Sequence, residues 1–248
     1  MNRNNKRIEF FIKFFKKEVY ANEFLNGHVY MNRLSYFREN YAGEKINAEN
    51  NVSDKYEGTD GWVQPEHVTI TLQDTGEIIT PISPVQYFNR GWDFYNLFCV
   101  FSIYLKPDKD SFSSLEDACR ELLPSSETCA LGEYCVIIKA TEFTKLFEQA
   151  CATLSLKLSH DLVNYFDKAN FSGHFEEGRS VFNKVDSFKH QKEYRFCIAP
   201  VDYGKDAKTL SLGDIRHIAK ICDFKDLKKY IPLVFRRLEH VDGKTTWS

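Results

Sequence analysis

The clearest strand signal in the chain is the nearly continuous apolar run Leu97-Phe-Cys-Val-Phe-Ser-Ile-Tyr-Leu105. An unbroken apolar run of this length is typical of a strand that is covered on both faces, because a half-exposed strand would alternate apolar and polar residues. Tyr134–Lys139 has the same character, and Glu193–Ala199 predicts a third strand that Pro200 ends. We therefore expect a sheet with the first two of these strands near its centre.

Other patterns surround this centre. Residues 7–15 predict an aromatic strand, and residues 17–26 predict a short helix that ends before Gly27. Ser113 and Thr141 are expected to cap two later amphipathic helices. Strands outnumber helices and hairpins mix with crossovers, which favours an α+β fold. We expect one domain over residues 1–248, with a mixed, mostly antiparallel sheet, about four to five helices and a long polar loop at 39–66.

Composition and charge indicate a globular protein and give little support to nucleic-acid-binding or membrane functions. The hydrophobic content of 43% can supply a core, and the net charge of −2 gives no strong signal of nucleic-acid binding. The seven cysteines include no C-x-x-C pair, which favours a reducing, cytoplasmic location over a disulfide framework. No apolar run is long enough to span a bilayer, so we expect no membrane association.

The familiar nucleotide and metal motifs do not occur. No phosphate-binding loop, G-x-G-x-x-G, G-x-S-x-G or H-E-x-x-H is present, and the His and Cys residues lack zinc spacing. We therefore predict no metal site, and no cofactor follows from the motifs.

One polar motif begins a strand, Lys192-Glu193-Tyr194-Arg195-Phe196. Side chains alternate between the two faces of a strand, so Glu193 and Arg195 share one face while Tyr194 and Phe196 share the other. A carboxylate fixed on a strand beside a cation can act in catalysis or bind a ligand. A surface ion pair on a half-exposed strand is the alternative.

A second polar motif lies in the long loop, Asp54-Lys55-Tyr56-Glu57-Gly58. Asp54 and Glu57 would meet on one side of a single helical turn, which Gly58 would end. Two such carboxylates could bind a metal, orient a ribose hydroxyl or hold an arginine. The alternative is a polar turn with a capping aspartate.

The order of the motifs resembles an uncharacterised family of bacterial and phage proteins that is linked to abortive infection. The resemblance covers most of the chain in outline and follows an aromatic, basic first strand, Leu25-Asn26-Gly27, Val29-Tyr30-Met31-Asn32, Asp54-x-x-Glu57-Gly58 and Lys192-Glu193-Tyr194-Arg195-Phe196. It implies a role in phage–host conflict, as an effector or as a sensor.

The same layout is similar to that of ADP-ribosyltransferases, which bind NAD against a split sheet. By this resemblance Glu193 matches the late catalytic glutamate, and Tyr36 or Tyr30 matches the aromatic residue that stacks on the ligand. Lys13 stands on the first strand, where those enzymes carry His or Arg. The resemblance implies NAD as a substrate, because a carboxylate beside the ribose would stabilise the cationic transition state.

Three functions are open at this point. The first is NAD cleavage or ADP-ribosyl transfer at Glu193. The second is a non-catalytic module that binds a nucleotide or a protein partner, using the loop 39–66 and the aromatic stretch 86–95 as its surface. The third is a metal-dependent nuclease built from Asp54, Glu57 and Glu193.

Overall fold

The computed structural model describes residues 7–39, 54–105, 112, 114–204 and 206–230. Its α-helices within these ranges are α1 (Glu18–Leu25), α2 (Leu34–Glu39), α3 (Leu115–Leu122) and α4 (Ala140–Thr153). Short 3-10 helices cover Pro65–His67, Arg90–Phe94, Ser126–Leu131, Ser180–Phe182, Asp186–Gln191 and Phe224–Tyr230.

Fifteen strands occur in the described residues. They are β1 (Arg7–Phe15), β2 (His28–Arg33), β3 (Gly61–Val63), β4 (Ile70–Thr71), β5 (Ile78–Ile79), β6 (Val85–Tyr87), β7 (Asn96–Leu105), β8 (Tyr134–Lys139), β9 (Leu158–Leu162), β10 (Asn164–Phe166), β11 (Gly173–His174), β12 (Asn183–Val185), β13 (Glu193–Ile198), β14 (Lys208–Ser211) and β15 (Ala219–Asp223).

Eight strands form the main sheet. Six follow one another in the order β14-β2-β7-β1-β8-β15, while β13 pairs with the other edge of β7 and β9 pairs with β13. All of these pairings are antiparallel, and the pair β10-β12 in a small separate sheet is parallel. The predicted α+β class with a mostly antiparallel sheet is confirmed.

Both faces of the main sheet are covered by apolar side chains, as the unbroken run in β7 predicts. On one face Phe98 and Phe196 join Phe143 and Phe147 of α4 in the largest core cluster. The rings of Phe147 and Phe196 stack with centroids 4.5 Å apart. On the other face Phe101 belongs to a second cluster with residues of α3 and of the last 3-10 helix. The central position of β7 follows from this two-sided burial.

The edge of β7 opposite β13 is shared by two strands. β1 pairs with it from Arg7↔Leu105 to Ile12↔Phe101, and β2 pairs with it only at Asn32↔Leu97 and Arg33↔Asn96. Residues 98–100 of β7 lie between these contacts and pair with neither strand on that edge. β1 and β2 therefore diverge around them, and we call this gap the fork.

The backbone of β7 turns polar groups toward the fork. The amide of Ser102 donates to the carbonyl of Lys192, so even-numbered residues of β7 direct their backbone groups to β13. Cys99 consequently directs its backbone groups the other way. Its carbonyl accepts a hydrogen bond from Lys13 Nζ at 2.8 Å.

Local details correct three expectations. α4 begins at Ala140 with Lys139 as its N-cap, so Thr141 lies inside the helix and does not cap it. Ser113 lies outside the described residues, and Ser114 caps α3 by accepting from the amide of Asp117. Part of the predicted loop forms a strand: Gly61–Val63 pair with β6 and β11, over a stretch too short for its alternation to be recognised.

Candidate functional site

A cavity of about 900 Å³ opens at the fork. Its walls come from β1, α1, β2, α2 and β7, and its floor comes from β12, β13 and the turn 54–58. Six of the seven predicted site residues line it: Lys13, Tyr30, Tyr36, Glu57, Glu193 and Arg195. The two polar motifs, which lie 138 residues apart at Glu57 and Arg195, therefore meet at one site.

Arg195 is the centre of the floor. Its guanidinium donates to both carboxylate oxygens of Glu57, at 2.7 and 2.8 Å, and its Nε donates to Oε1 of Glu193 at 2.5 Å. A fourth hydrogen bond of the guanidinium goes to the carbonyl of Val181, at 2.6 Å. The fork-shaped donor set of arginine suits this geometry, since it can hold a carboxylate with two parallel hydrogen bonds.

Lys184 on β12 completes the group. Its Nζ lies 3.2 Å from Oε2 of Glu193 and 3.4 Å from Oε1 of Glu57, and it donates to the side chain of Gln191 at 2.9 Å. We call Glu57, Lys184, Glu193 and Arg195 the ion cluster. Each of its members is buried, so the alternative of a surface ion pair on a half-exposed strand is wrong.

Neighbouring charges in the ion cluster keep Glu193 and Lys184 ionised. Burial opposes ionisation of Glu193, but the charges of Arg195 and Lys184 outweigh it and keep the pKa of Glu193 well below its usual range. Burial likewise opposes the charge of Lys184, and the two carboxylates raise its pKa above the ordinary value. Glu193 is therefore a carboxylate, and not a carboxylic acid, at any physiological pH.

Two neutral neighbours fix Glu193 further. The thiol of Cys99 donates a hydrogen bond to its carboxylate. Its backbone amide donates to the hydroxyl of Tyr165 at 2.9 Å. With Arg195 and Lys184 these contacts leave the Glu193 side chain one defined position on the floor.

Asp54 is the one predicted site residue that does not line the cavity. It is buried behind Glu57, where its Oδ1 accepts from the amide of Tyr56 at 2.9 Å and its Oδ2 lacks a hydrogen bond of normal geometry. Burial and the charge of Glu57 raise the pKa of Asp54 to about 6. Asp54 therefore shapes the turn, as a capping residue would, and does not face a ligand.

Lys13 sits in the fork, on the wall of the cavity. Its ammonium donates to the Cys99 carbonyl and lies 4.7 Å from the centre of the Phe98 ring. Burial lowers the pKa of Lys13, and the electrostatic interactions with Cys99 and Glu193 only partly offset this. The side chain thus places one cation above the floor without belonging to the ion cluster.

Tyrosine rings form the rim of the cavity. Tyr20, Tyr30 and Tyr36 remain 53%, 61% and 49% exposed, although they lie next to a mainly apolar wall. Glu23 and His28 stand beside them and pair with each other at 2.7 Å. Exposed rings at a concave opening provide surfaces on which a planar ligand can stack.

Sequence patterns gave no indication of Lys184 or Gln191. Lys184 lies between Asn183 and Val185 in a three-residue strand, and no charge spacing connects it to either polar motif. The one available signal was a lysine beside the apolar residues 181–182, where a cation is rare unless it is paired.

A second cavity of about 660 Å³ adjoins the floor from the other side. Glu193 lines both cavities, and the second one contains Tyr165, Asn183 and the Arg179–Asp161 ion pair. The ion cluster therefore stands between two concave surfaces.

The described residues contain no group of three or more His, Cys, Asp or Glu side chains arranged to hold a metal ion. Glu57 and Glu193, which the nuclease hypothesis requires, are instead bonded to cations. Among the described helices, none combines the length and the apolar character needed to cross a membrane.

No protein-family model, no curated protein and no solved structure matches the chain. The assignment of a function consequently depends on the geometry and chemistry of the cavity at the fork.

Proposed function

We propose that the cavity at the fork binds a nucleotide. The observation that carries this proposal is that one cavity combines exposed tyrosine rings at its rim with buried cations at its floor. A nucleotide needs both features, since its base offers a planar face and its phosphates carry negative charge.

The charge of the interior supports an anionic ligand. Lys13, Lys184 and Arg195 line it with positive charge, against the two carboxylates of Glu57 and Glu193. At the mouth, Glu23 is already paired with His28. When Lys13 is protonated, the cations outnumber the carboxylates and favour a phosphate or carboxylate group of the ligand, and the low dielectric around buried groups makes that attraction stronger than it would be in bulk solvent.

Variants of the rim test the proposal without disturbing the core. Tyr30→Ala and Tyr36→Ala remove exposed rings, and Tyr203→Ala is a matched control, because Tyr203 is 79% exposed and lies away from the cavity. The ligand is first found by thermal shift with AMP, ATP, GTP and NAD, since a ligand at about 100 times its dissociation constant adds about 2.7 kcal/mol of stability.

Titration calorimetry then compares the variants with the wild-type protein. Each rim variant is expected to bind the ligand about 5- to 150-fold more weakly, which corresponds to about 1–3 kcal/mol for a stacked base. Equal affinity of all variants would refute stacking at the rim. Absence of a thermal shift with every nucleotide would refute the proposal and favour the protein-binding alternative.

NAD cleavage at Glu193 is the second candidate. It is favoured by one observation, an ionised carboxylate on the floor of the same cavity. The neighbouring cations weaken it, because a cationic, oxocarbenium-like transition state gains less from a carboxylate that Arg195 and Lys184 already neutralise. For this reason we rank binding before cleavage.

Incubation with NAD and chromatography of the products distinguish the two candidates. Release of nicotinamide by the wild-type protein, and its loss in Glu193→Gln, would establish cleavage. Nicotinamide release that Glu193→Gln leaves unchanged would remove Glu193 from the mechanism. Phage plating on cells that express either protein tests the role in phage–host conflict that the sequence resemblance implies.

A further inference from the structure

The amine of Lys13 is held by weak partners. Nζ donates to the carbonyl of Cys99 and faces the ring of Phe98, and it forms no ion pair with a carboxylate of the described residues. Lys184 differs in this respect, because two carboxylates hold its proton. Neither a carbonyl nor a ring is charged, so Lys13 can release its proton at a much smaller cost.

The surroundings of Lys13 also favour the neutral amine. Phe14, Phe15 and Phe24 line the cavity with it. Burial lowers the pKa of Lys13 while Glu193 and the Cys99 thiol, the titratable groups that face it, oppose the shift only in part. A lysine that is desolvated in an apolar pocket is a nucleophile for carbonyl compounds, because more of it is unprotonated at neutral pH.

We propose that Lys13 captures an aldehyde group of a planar ligand in this cavity as an imine. The lone pair of the neutral Nζ forms a bond to the carbonyl carbon, and a proton passes from nitrogen to oxygen to give a carbinolamine. The nitrogen then loses its second proton, the carbon–oxygen single bond breaks, the oxygen leaves as water with that proton, and a carbon–nitrogen double bond remains. The step involves no oxidation and no further reactant.

The cavity fits a ring that carries both an aldehyde and an anionic group. The rim tyrosines can contact the faces of the ring, and an anionic group would lie near Arg195 and Lys184 at the floor, whose charges Glu57 and Glu193 balance. This inference does not depend on nucleotide binding, since it requires only that the cavity admit a planar aldehyde.

Reductive trapping tests the proposal. The full chain is treated at neutral pH with a limiting amount of pyridoxal 5′-phosphate, an aromatic aldehyde that bears a phosphate, and then with borohydride, and the modified lysines are identified by mass spectrometry. Lys17 is the matched control, because its Nζ also lies near an aromatic ring, 5.8 Å from the centre of the Tyr20 ring, but its side chain is exposed. We expect Lys13 to be labelled about tenfold faster than Lys17, a difference that desolvation of an amine can produce.

The variant Lys13→Arg keeps a hydrogen-bond donor at this position but removes the reactive amine, so it should lose the fast labelling. Thermal shift of the wild-type protein with nucleotides tests the proposed function separately, because its outcome does not depend on whether Lys13 forms an imine. The inference would be overturned if Lys13 were labelled no faster than Lys17. It would also be overturned if Lys13→Arg were still labelled as fast as the wild-type protein, because the fast label would then lie on another lysine. The comparison of the two lysines in the wild-type protein remains decisive if the variant fails to fold.

Discussion

Replacement of Asp54 by asparagine should stabilise the protein in a way that depends on pH. The carboxyl of Asp54 is 2% exposed, and burial together with the charge of Glu57 raises its pKa from 3.8 to about 6. The amides of Tyr56 and Val185 and the charge of Lys184 lower the pKa, but only in part. Asparagine keeps the oxygen that accepts from Tyr56 and removes the charge.

The size of the effect follows from the two pKa values. Between pH 4 and pH 6 the folded protein binds more protons at Asp54 than the unfolded chain, so the stability contributed by this group falls as the pH rises through that window. A shift of about two units corresponds to about 3 kcal/mol once the carboxyl is ionised in both states. The stability advantage of Asp54→Asn over the wild-type protein should therefore grow by about 3 kcal/mol from pH 4 to pH 8.

Urea unfolding, followed by intrinsic fluorescence from pH 4 to pH 8, measures this difference. Subtraction of the wild-type curve cancels the contribution of other titrating groups, including that of Glu193, which has the opposite sign. Asp74→Asn is the control, because Asp74 is exposed in the turn between β4 and β5. If the difference in free energy of unfolding between Asp54→Asn and the wild-type protein stayed constant from pH 4 to pH 8, the Asp54 carboxyl would not have the raised pKa on which the prediction depends.

Two further changes probe the floor and the fold. Arg195→Ala leaves Glu57 and Glu193 buried beside a single cation, so chemical unfolding should show a free energy of unfolding lower by about 3–5 kcal/mol. The control Arg179→Ala breaks a partly exposed pair with Asp161 and should lower it by no more than about 1 kcal/mol. Similar losses in the two variants would contradict the buried character of the ion cluster. Gly27→Ala should lower the melting temperature much more than Gly76→Ala. Both glycines have positive φ, but a Cβ at Gly27 would lie 1.9 Å from the carbonyl oxygen of Gly213, while a Cβ at Gly76 would meet open space. Equal decreases in melting temperature would show that backbone strain, and not the contact with Gly213, causes the loss.

Local patterns predicted the central elements because the forces that form them are local in sequence. The unbroken apolar run of β7 predicted a strand that is buried on both faces. The aromatic run of β1 predicted a second buried strand, and β1 pairs with β7 in the register Ile12↔Phe101. Alternation in β13 placed Glu193 and Arg195 on one face. The cap of α3 was assigned one residue too early, because Ser113 and Ser114 give nearly equal signals. The cap of α4 was assigned two residues too late, because Lys139 occupies the cap position without a side-chain hydrogen bond.

Contacts between distant segments were not predictable in the same way. The pairing of Glu57 with Arg195 depends on how a turn after residue 53 meets a strand far along the chain, and neither motif alone indicates its partner. Burial of the pair was missed because charged residues are expected at the surface. The fork was not indicated by any periodicity, since the divergence of β1 and β2 is set by the pairing of both with one edge of β7.

The ion cluster is better explained by position than by stability. Removal of two cations and two carboxylates from water is expensive, and apolar side chains of similar volume often stabilise a fold as well or better. What an apolar group could not do is connect β12, β13 and the turn 54–58 at defined distances while keeping charge on the floor of a cavity. Stability alone therefore does not explain why a buried ion cluster lies beneath an open cavity with aromatic side chains at its rim. The cluster is therefore an argument for the proposal that the fork binds a ligand, which the rim variants and the trapping of Lys13 test at opposite sides of the cavity.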